Sequence, residues 1–194
     1  MKKNIGIILK NYYPQRQKIS VLDRKMGKIQ YPSPKNKAIP VGSLIGYYVE
    51  QNRYNFYKIN QLEILNIPFE TATDDILFLH HVLEICYYFI PCGAEMQEIF
   101  NLLMYLYSFP YKLKYIIEKK LFLFKLFVSL GIFPEGKEFQ TPYFHALSLQ
   151  SIDTLISKKL PLGVERDLNT CLQTCIQMHP MFRYFKTVNF LKFR

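Results

Sequence analysis

The sequence lacks any run of about 18–20 apolar residues, the length that a membrane-spanning helix requires. Among its uncharged segments, residues 99–111 are interrupted by Pro110, and residues 139–152 contain Gln, Ser, Thr and His. The apolar run at residues 5–9 is shorter than the ~7–15 residues of a signal-peptide core. We therefore expect a cytoplasmic protein that has no membrane partner.

Cysteine is also scarce, with 4 residues at positions 86, 92, 171 and 175. These are too few for a disulfide scaffold and fall in segments that we predict to be helical, so we expect reduced core thiols. Cys171, Cys175 and His179 recur at every fourth residue and would share one helical face, as three metal ligands could. The other residues of that stripe are core-like and no fourth ligand follows at a recognisable spacing, so we expect packing and no metal.

Catalytic signatures are missing as well. The sequence contains no nucleophile motif, P-loop, glycine-rich dinucleotide loop or paired-carboxylate constellation. His80 and His81 lie inside a predicted helix without an acid at catalytic spacing, and we expect one of them in the core and the other exposed. The sequence therefore predicts a protein that is not an enzyme and uses no cofactor.

Acidic residues are outnumbered, since 25 Lys and Arg stand against 15 Asp and Glu for a net charge of +10. The excess is uneven. Residues 1–70 hold 12 basic and 4 acidic residues (+8), residues 71–134 hold 5 and 6 (−1), and residues 135–194 hold 8 and 5 (+3). A chain of 194 residues that is 49% hydrophobic folds into one or two domains, and its first third is the basic part.

We predict five strands in the basic part, because short runs rich in Ile, Val and Tyr are bounded there by Pro, Gly and Asn. The strands cover residues 5–9, residues 19–23, a run that starts at residue 28, residues 43–50 and residues 55–65. The apolar pattern of the fifth slips in phase at Asn60 and Gln61, and a bulge would absorb the slip. Five short strands in a basic module predict an OB-type β-barrel domain over residues 1–70.

The remaining residues, 71–194, predict an all-helical second domain, so the fold class is α+β. Predicted helices cover residues 76–90, 94–109, 113–130, 151–159 and 164–178, and residues 132–150 are expected to be irregular. Thr73 is the expected N-cap of the first helix, and Gly131 the expected C-cap of the third.

The basic module suits a single strand of nucleic acid, because its cations would neutralise phosphates and exposed tyrosines would stack on bases. Tyr12, Tyr13, Tyr31 and Tyr54 are interleaved among the cations. The plainer interpretation is a Lys-rich surface over core tyrosines. The predicted DNA contacts are Arg16, Lys18, Arg24, Lys25, Lys28, Lys35, Lys37 and Arg53.

The third predicted helix offers a candidate peptide site. Its apolar residues exceed one stripe, and lysines precede the densest part, so an apolar groove rimmed by cations would suit a short acidic and hydrophobic peptide. The plainer interpretation is a buried helix whose lysines face water. The candidate residues are Lys112, Lys114, Lys119, Lys120, Leu121, Phe122 and Phe124.

Four segments together resemble the bacterial recombination mediators of the RecO family. They are residues 5–10 (IGIILK), 19–28 (ISVLDRKMGK), 119–134 (KKLFLFKLFVSLGIFP) and 185–191 (FKTVNFL). The resemblance implies an N-terminal OB fold followed by a helical domain, binding and annealing of DNA, and work with RecR to load RecA. It further implies docking of the acidic tail of the single-stranded-DNA-binding protein near Lys119 and Lys120, in a nucleoid-associated protein.

Two features depart from that family. Many members carry a four-cysteine zinc site after the glycine and proline that end this helix, and residues 136–150 contain no cysteine here. The basic stretch after the third strand is reduced to residues 33–37 (SPKNK) in a chain shorter than is usual. We keep two alternatives open: a protein-interaction adaptor that hardly touches DNA, and an OB-fold RNA-binding protein.

Overall fold

A computed structural model describes residues 3–12, 18–32, 39–51, 57–133, 141–161 and 163–187. Five strands come first: β1 (Asn4–Asn11), β2 (Lys18–Asp23), β3 (Gly27–Pro32), β4 (Leu44–Gln51) and β5 (Tyr57–Asn66). Six α-helices follow: α1 (Phe69–Phe89), α2 (Gln97–Ser108), α3 (Ile116–Ser129), α4 (Pro142–Ser148), α5 (Ile152–Ile156) and α6 (Val164–Gln177). Short 3-10 helices cover Pro110–Leu113 and Phe182–Tyr184. The α+β class and the five predicted strands are confirmed.

The strands form one antiparallel sheet in the order β3-β2-β1-β4-β5. The predicted bulge in β5 is present: Tyr47 pairs with Leu62 and Tyr48 with Asn60, so Gln61 has no opposite residue. Gln61 has a φ of 50°, a left-handed conformation that the extra residue of a bulge can adopt. A second bulge in β1 skips Leu9 between Ile8 and Lys10.

Both faces of the sheet are buried near its centre. On one face, Ile7, Leu9 and Leu22 join the main core with the helices. On the other, a second and smaller core contains Ile8, Ile19, Val21, Tyr31, Ile39, Ile45 and Tyr47. The second core includes no helical residue, so the sheet curls over its own side chains.

The two edge strands, β3 and β5, have Cα atoms within 8 Å of each other. Within the described residues no ladder of hydrogen bonds joins them, and the structure shows an open curled sheet. The expected closed barrel is therefore not seen, although the strand order and the enclosed second core are.

Helix α1 begins seven residues earlier than predicted, and its cap differs. Asp75 has a non-helical φ of −157° and ψ of 84°, which kinks the helix. The Phe78 backbone N–H donates to Asp75 Oδ1 at 3.1 Å, so Asp75 caps the second half. Thr73 was the predicted cap and is wrong, because its hydroxyl donates to the Phe69 carbonyl one turn back.

The C-terminal end of α3 confirms the predicted glycine cap. Gly131 has a φ of 72°, and its N–H donates to the Val128 carbonyl at 2.9 Å. The Ile132 N–H reaches back to the Phe127 carbonyl, also at 2.9 Å, which completes a Schellman motif. The following segment was predicted to be irregular throughout, but α4 forms within it, with Thr141 as its N-cap.

Helix α3 lies at the centre of the helical part. Its apolar residues are buried against α1, α2, α5 and α6, and the core continues without a break to the sheet. In the described part of the chain, no helix is both long and apolar enough to cross a membrane.

Candidate nucleic-acid interface

Three of the eight predicted DNA contacts are exposed cations. Lys18 starts β2, and Arg24 and Lys25 lie in the turn that ends it. At ~3.3 Å per residue these two groups are about 20 Å apart. Four others, Arg16, Lys35, Lys37 and Arg53, lie outside the described residues.

The turn that presents Arg24 and Lys25 is held by a single carboxylate. Asp23 Oδ1 accepts hydrogen bonds from the backbone N–H groups of Lys25 at 2.8 Å and Met26 at 2.9 Å. Asp23 Oδ2 accepts the Tyr47 hydroxyl at 2.6 Å, which ties the turn to the second core. Burial, together with this bond, raises the pKa of Tyr47 well above its usual range, so the phenol stays a donor.

The eighth predicted contact, Lys28, is buried where the sheet meets α1. Its Nζ donates to the Tyr87 carbonyl at 2.6 Å and lies 5.4 Å from the Tyr87 ring centre. Burial lowers the pKa of Lys28. Gly27, beside it, leaves no room for a Cβ because the Ala94 carbonyl approaches closely. This ammonium is not presented to solvent, and we leave Lys28 out of the interface.

The four tyrosines that were predicted to stack on bases do not share one surface. Tyr31 is a core residue that packs edge-on against Tyr47, with ring centres 5.8 Å apart. Tyr12 lies at the sheet–helix junction, where its hydroxyl is hydrogen bonded to that of Tyr87. Tyr13 and Tyr54 fall outside the described residues.

A cation–tyrosine cluster that the sequence did not reveal lies at this junction. The Lys10 ammonium is 5.2, 4.3 and 5.8 Å from the ring centres of Tyr12, Tyr87 and Tyr88. Within the described residues Lys10 has no carboxylate partner, whereas Lys58 pairs with Glu50 at 3.7 Å. Lys10 therefore adds a positive group to an aromatic surface.

A cavity opens beside the cluster. Its volume is about 170 Å³, and Lys10, Tyr87, Tyr88, His80 and Lys186 are among its walls. Residues 186–187 of the C-terminal segment form one side. The half-buried Lys10 and the exposed Lys186 thus line the same concavity as the two tyrosine rings.

The C-terminal side of the cavity is fixed by Glu84 on α1. Its carboxylate accepts the backbone N–H of Lys186 at 2.9 Å, the N–H of Thr187 at 2.9 Å, and the Thr187 hydroxyl at 2.5 Å. His81 Nδ1 lies 2.8 Å from the same hydroxyl oxygen, and since the hydroxyl donates to Glu84, His81 Nδ1 is the donor. Burial lowers the pKa of His81 to about 4, so the imidazole is neutral near pH 7. The expected pattern of one buried and one exposed histidine is confirmed, because His80 is exposed.

The lysines of the predicted peptide helix are mostly engaged in ion pairs. Lys119 is buried and its Nζ lies 2.9 Å from Asp75 Oδ2. Lys120 is buried and lies 2.8 Å from Glu165 Oε1. Lys112 is half-buried and lies 2.6 Å from Asp153 Oδ1. The mutual attraction raises the pKa of Lys112 and lowers that of Asp153.

The predicted groove walls Leu121, Phe122 and Phe124 are core residues and line no open groove in this structure. Lys114 is the exposed cation of the set, and it shares a cavity with the exposed Phe69 and Tyr111 rings. Acidic residues of α1 line the same cavity, so its charge is mixed. The docking of an acidic peptide on this part of the protein stays a prediction.

The cysteine stripe of α6 packs into the core. Cys171 and Cys175 are buried, and hydrogen bonding between them together with burial raises the pKa of the Cys175 thiol. The His179 ring lies 4.4 Å from the Phe89 ring and 5.9 Å from the Phe185 ring. Across the described segments, no three His, Cys, Asp or Glu residues are grouped closely enough to hold a metal ion.

Comparison of the chain with protein-family models and with curated proteins gave no match.

Proposed function

We propose that the chain is a non-enzymatic nucleic-acid-binding protein that binds single-stranded DNA and anneals complementary strands during recombinational repair. Its curled sheet would serve as an OB-type module, and its helices would recruit RecR, RecA and the single-stranded-DNA-binding protein, as in the RecO family that the sequence resembles. Such a protein would work in the cytoplasm, at the nucleoid.

The observation that carries the proposal is the position of the basic excess. Residues 1–70 have a net charge of +8, while the next 64 residues are close to neutral. Within the described residues, Lys10, Lys18 and Arg24 have no carboxylate partner, so their positive field is not cancelled by a nearby acid. A basic module with tyrosines beside it provides the two contributions that single strands need, phosphate neutralisation and base stacking.

A second candidate, a protein-interaction adaptor, is favoured by one apolar surface. Phe69 is 73% exposed and Tyr111 is 66% exposed, and both line the cavity that contains Lys114. Exposed aromatic groups around a concavity are typical of protein-binding surfaces. This surface can coexist with DNA binding, because it lies on the helical part.

The two candidates differ in their dependence on salt. We expect a labelled oligo-dT to bind with an affinity that falls steeply as salt rises, and the triple variant Lys18→Ala/Arg24→Ala/Lys25→Ala to reduce the slope of log affinity against log salt by about 2, at ~0.7 per phosphate. Lys158→Ala/Lys159→Ala/Arg166→Ala removes the same charge from exposed positions of the helical part and should leave the slope unchanged.

Strand annealing is the functional readout. The wild type should accelerate annealing of complementary strands, and the sheet variant should lose most of that acceleration. Absence of oligonucleotide binding by the wild type would favour the adaptor, and tighter binding to structured RNA than to single-stranded DNA would favour the RNA-binding alternative.

A further inference from the structure

We propose that the cavity between β1, α1 and residues 186–187 holds one nucleotide of a bound single strand, with its base against the Tyr87 and Tyr88 rings and its phosphate between Lys10 and Lys186. This inference rests on the proposed function and deepens it, because it assigns a base-stacking site where the sequence showed none. The cavity lies at the junction of the sheet and the helices rather than on the turns that carry Arg24 and Lys25.

The size and walls of the cavity suit the base of one nucleotide. The cavity volume is about 170 Å³, less than the ~300–1,000 Å³ of pockets for drug-sized ligands, so it takes the base alone. Leu9, Val41 and Leu83 supply an aliphatic floor, and the half-buried Tyr87 and Tyr88 supply aromatic surface beside it. A flat base can contact both kinds of surface, while its sugar and phosphate stay at the open side.

The cations stand where a phosphate would need them. Lys10 has its ammonium over the tyrosine rings, and Lys186, which lines the same cavity, is exposed. Neither forms an ion pair with an acid within the described residues. Because an ammonium gains more from a phosphate than from a ring face, Lys10 can leave the tyrosines when a strand arrives and so expose them to the base.

Glu84 is the acidic residue among the described residues that line the cavity, and hydrogen bonds already occupy its carboxylate oxygens. Its carboxylate accepts hydrogen bonds from two backbone N–H groups and from the Thr187 hydroxyl. These donors hold residues 186–187 against α1 and thereby position Lys186. The Glu84 carboxylate thus holds one wall of the site in place. Its negative charge repels a phosphate, which therefore lies towards the mouth of the cavity.

Photocrosslinking of the full chain to an oligo-dT that carries one 4-thiothymidine tests the proposal without any substitution. We expect crosslinks that mass spectrometry maps to the peptide containing Tyr87 and Tyr88. Crosslinks confined to other peptides, with binding intact, would overturn the nucleotide site and leave the proposed function standing. A wild type that does not bind the oligonucleotide would overturn both.

Variants measure the two halves of the site separately. Lys10→Ala/Lys186→Ala should lower the salt slope by about 0.7, the value for the one phosphate that the two lysines share, whereas the matched Lys158→Ala/Lys159→Ala should not change it. Tyr88→Leu should weaken binding about tenfold, as expected for one lost base stack, and Tyr88→Phe should bind like the wild type. If the two double-lysine variants show the same slope of log affinity against log salt, or if Tyr88→Leu binds as tightly as the wild type, the cavity is not part of the interface.

Free thymidine monophosphate separates a strand from a small-molecule ligand. We expect it to bind far more weakly than the oligonucleotide and to compete poorly, because a single nucleotide forgoes the other contacts of the sheet. Binding as tight as that of the oligonucleotide would assign the cavity to a free nucleotide and overturn the proposal.

Discussion

Breaking the buried ion pair between Lys119 and Asp75 by a single substitution should be among the most destabilising changes in the helical part. Nζ and Oδ2 are 2.9 Å apart, and the two side chains are only 7% and 2% exposed. Lys119→Met leaves the Asp75 carboxylate buried without its ammonium. Removing one partner of a buried pair costs ~3–5 kcal/mol, so we expect the free energy of unfolding to fall by about that amount. This is a large part of the ~5–15 kcal/mol typical of a folded protein.

The double variant Asp75→Asn/Lys119→Met tests whether the loss comes from an uncompensated charge. Asparagine caps a helix about as well as aspartate, so the hydrogen bond from the Phe78 N–H can survive. Neither new side chain is charged, and we expect the double variant to lose only ~1–2 kcal/mol and to be more stable than either single variant.

Lys120→Met is the matched control one residue along. Lys120 is also buried, but its partner Glu165 is 52% exposed and can turn into water when the ammonium is removed. We expect a change of only ~0–1 kcal/mol. Urea unfolding followed by far-UV circular dichroism measures all of these variants. Equal losses for Lys119→Met and Lys120→Met, or a double variant as unstable as the sum of the single variants, would refute the reasoning.

Three further predictions concern pH, metal and peptide. Burial holds the pKa of His81 near 4 in the folded chain, below ~6.5 in the unfolded chain, so protons bind the unfolded state first and up to ~3 kcal/mol of stability is lost as pH falls from about 6.5 to 4. In urea titrations at several pH values, His81→Gln should flatten this dependence, and His80→Gln should retain it. Elemental analysis should find no stoichiometric zinc in the untagged protein, and about one zinc per chain, lost together with stability in Cys175→Ser, would contradict this. A labelled acidic peptide that ends in apolar residues and a free carboxylate should bind more weakly to Lys114→Glu than to Lys114→Ala, and equal affinities would remove Lys114 from its site. Lys120→Glu should instead destabilise the fold, because it would place a second carboxylate beside Glu165.

The features that could be predicted from the sequence depend on local patterns. The bulge at Gln61 followed from a phase slip within one strand, and the Schellman end at Gly131 from one glycine after an apolar helix. The features that were missed depend on residues far apart in the chain. Asp75 kinks α1 and pairs with a lysine 44 residues later, and Tyr12 meets a tyrosine 75 residues later.

Adjacent lysines before an apolar run illustrate the limit of such patterns. Lys119 and Lys120 had two interpretations, a groove rim or a solvated face. The structure places both in a third environment, in which each lysine is buried and forms an ion pair with a distant acid. The acids that neutralise them come from α1 and α6, and no spacing in the sequence connects these residues. A charged residue on an apolar helix therefore needs its tertiary partner to be known before a binding role is assigned to it.

The burial of both faces of the sheet determines where a ligand of the basic module can bind. β1 and β2 use one face for the helices and the other for the second core, so neither face is open to a strand of nucleic acid near their centre. On these two strands, the ends and the junction with α1 stay accessible. Lys18 and Arg24 occupy opposite ends of β2, and Lys10 faces the junction. A single strand of nucleic acid that contacts all three cations must run along the edge of the sheet for at least the ~20 Å between the ends of β2. This length fits the ~4–16 nucleotides that single OB-type modules bind. The edge of the sheet and the tyrosine cavity are thus parts of one proposed path. A site limited to the turn at Arg24 would be too short to produce the steep salt dependence that we expect.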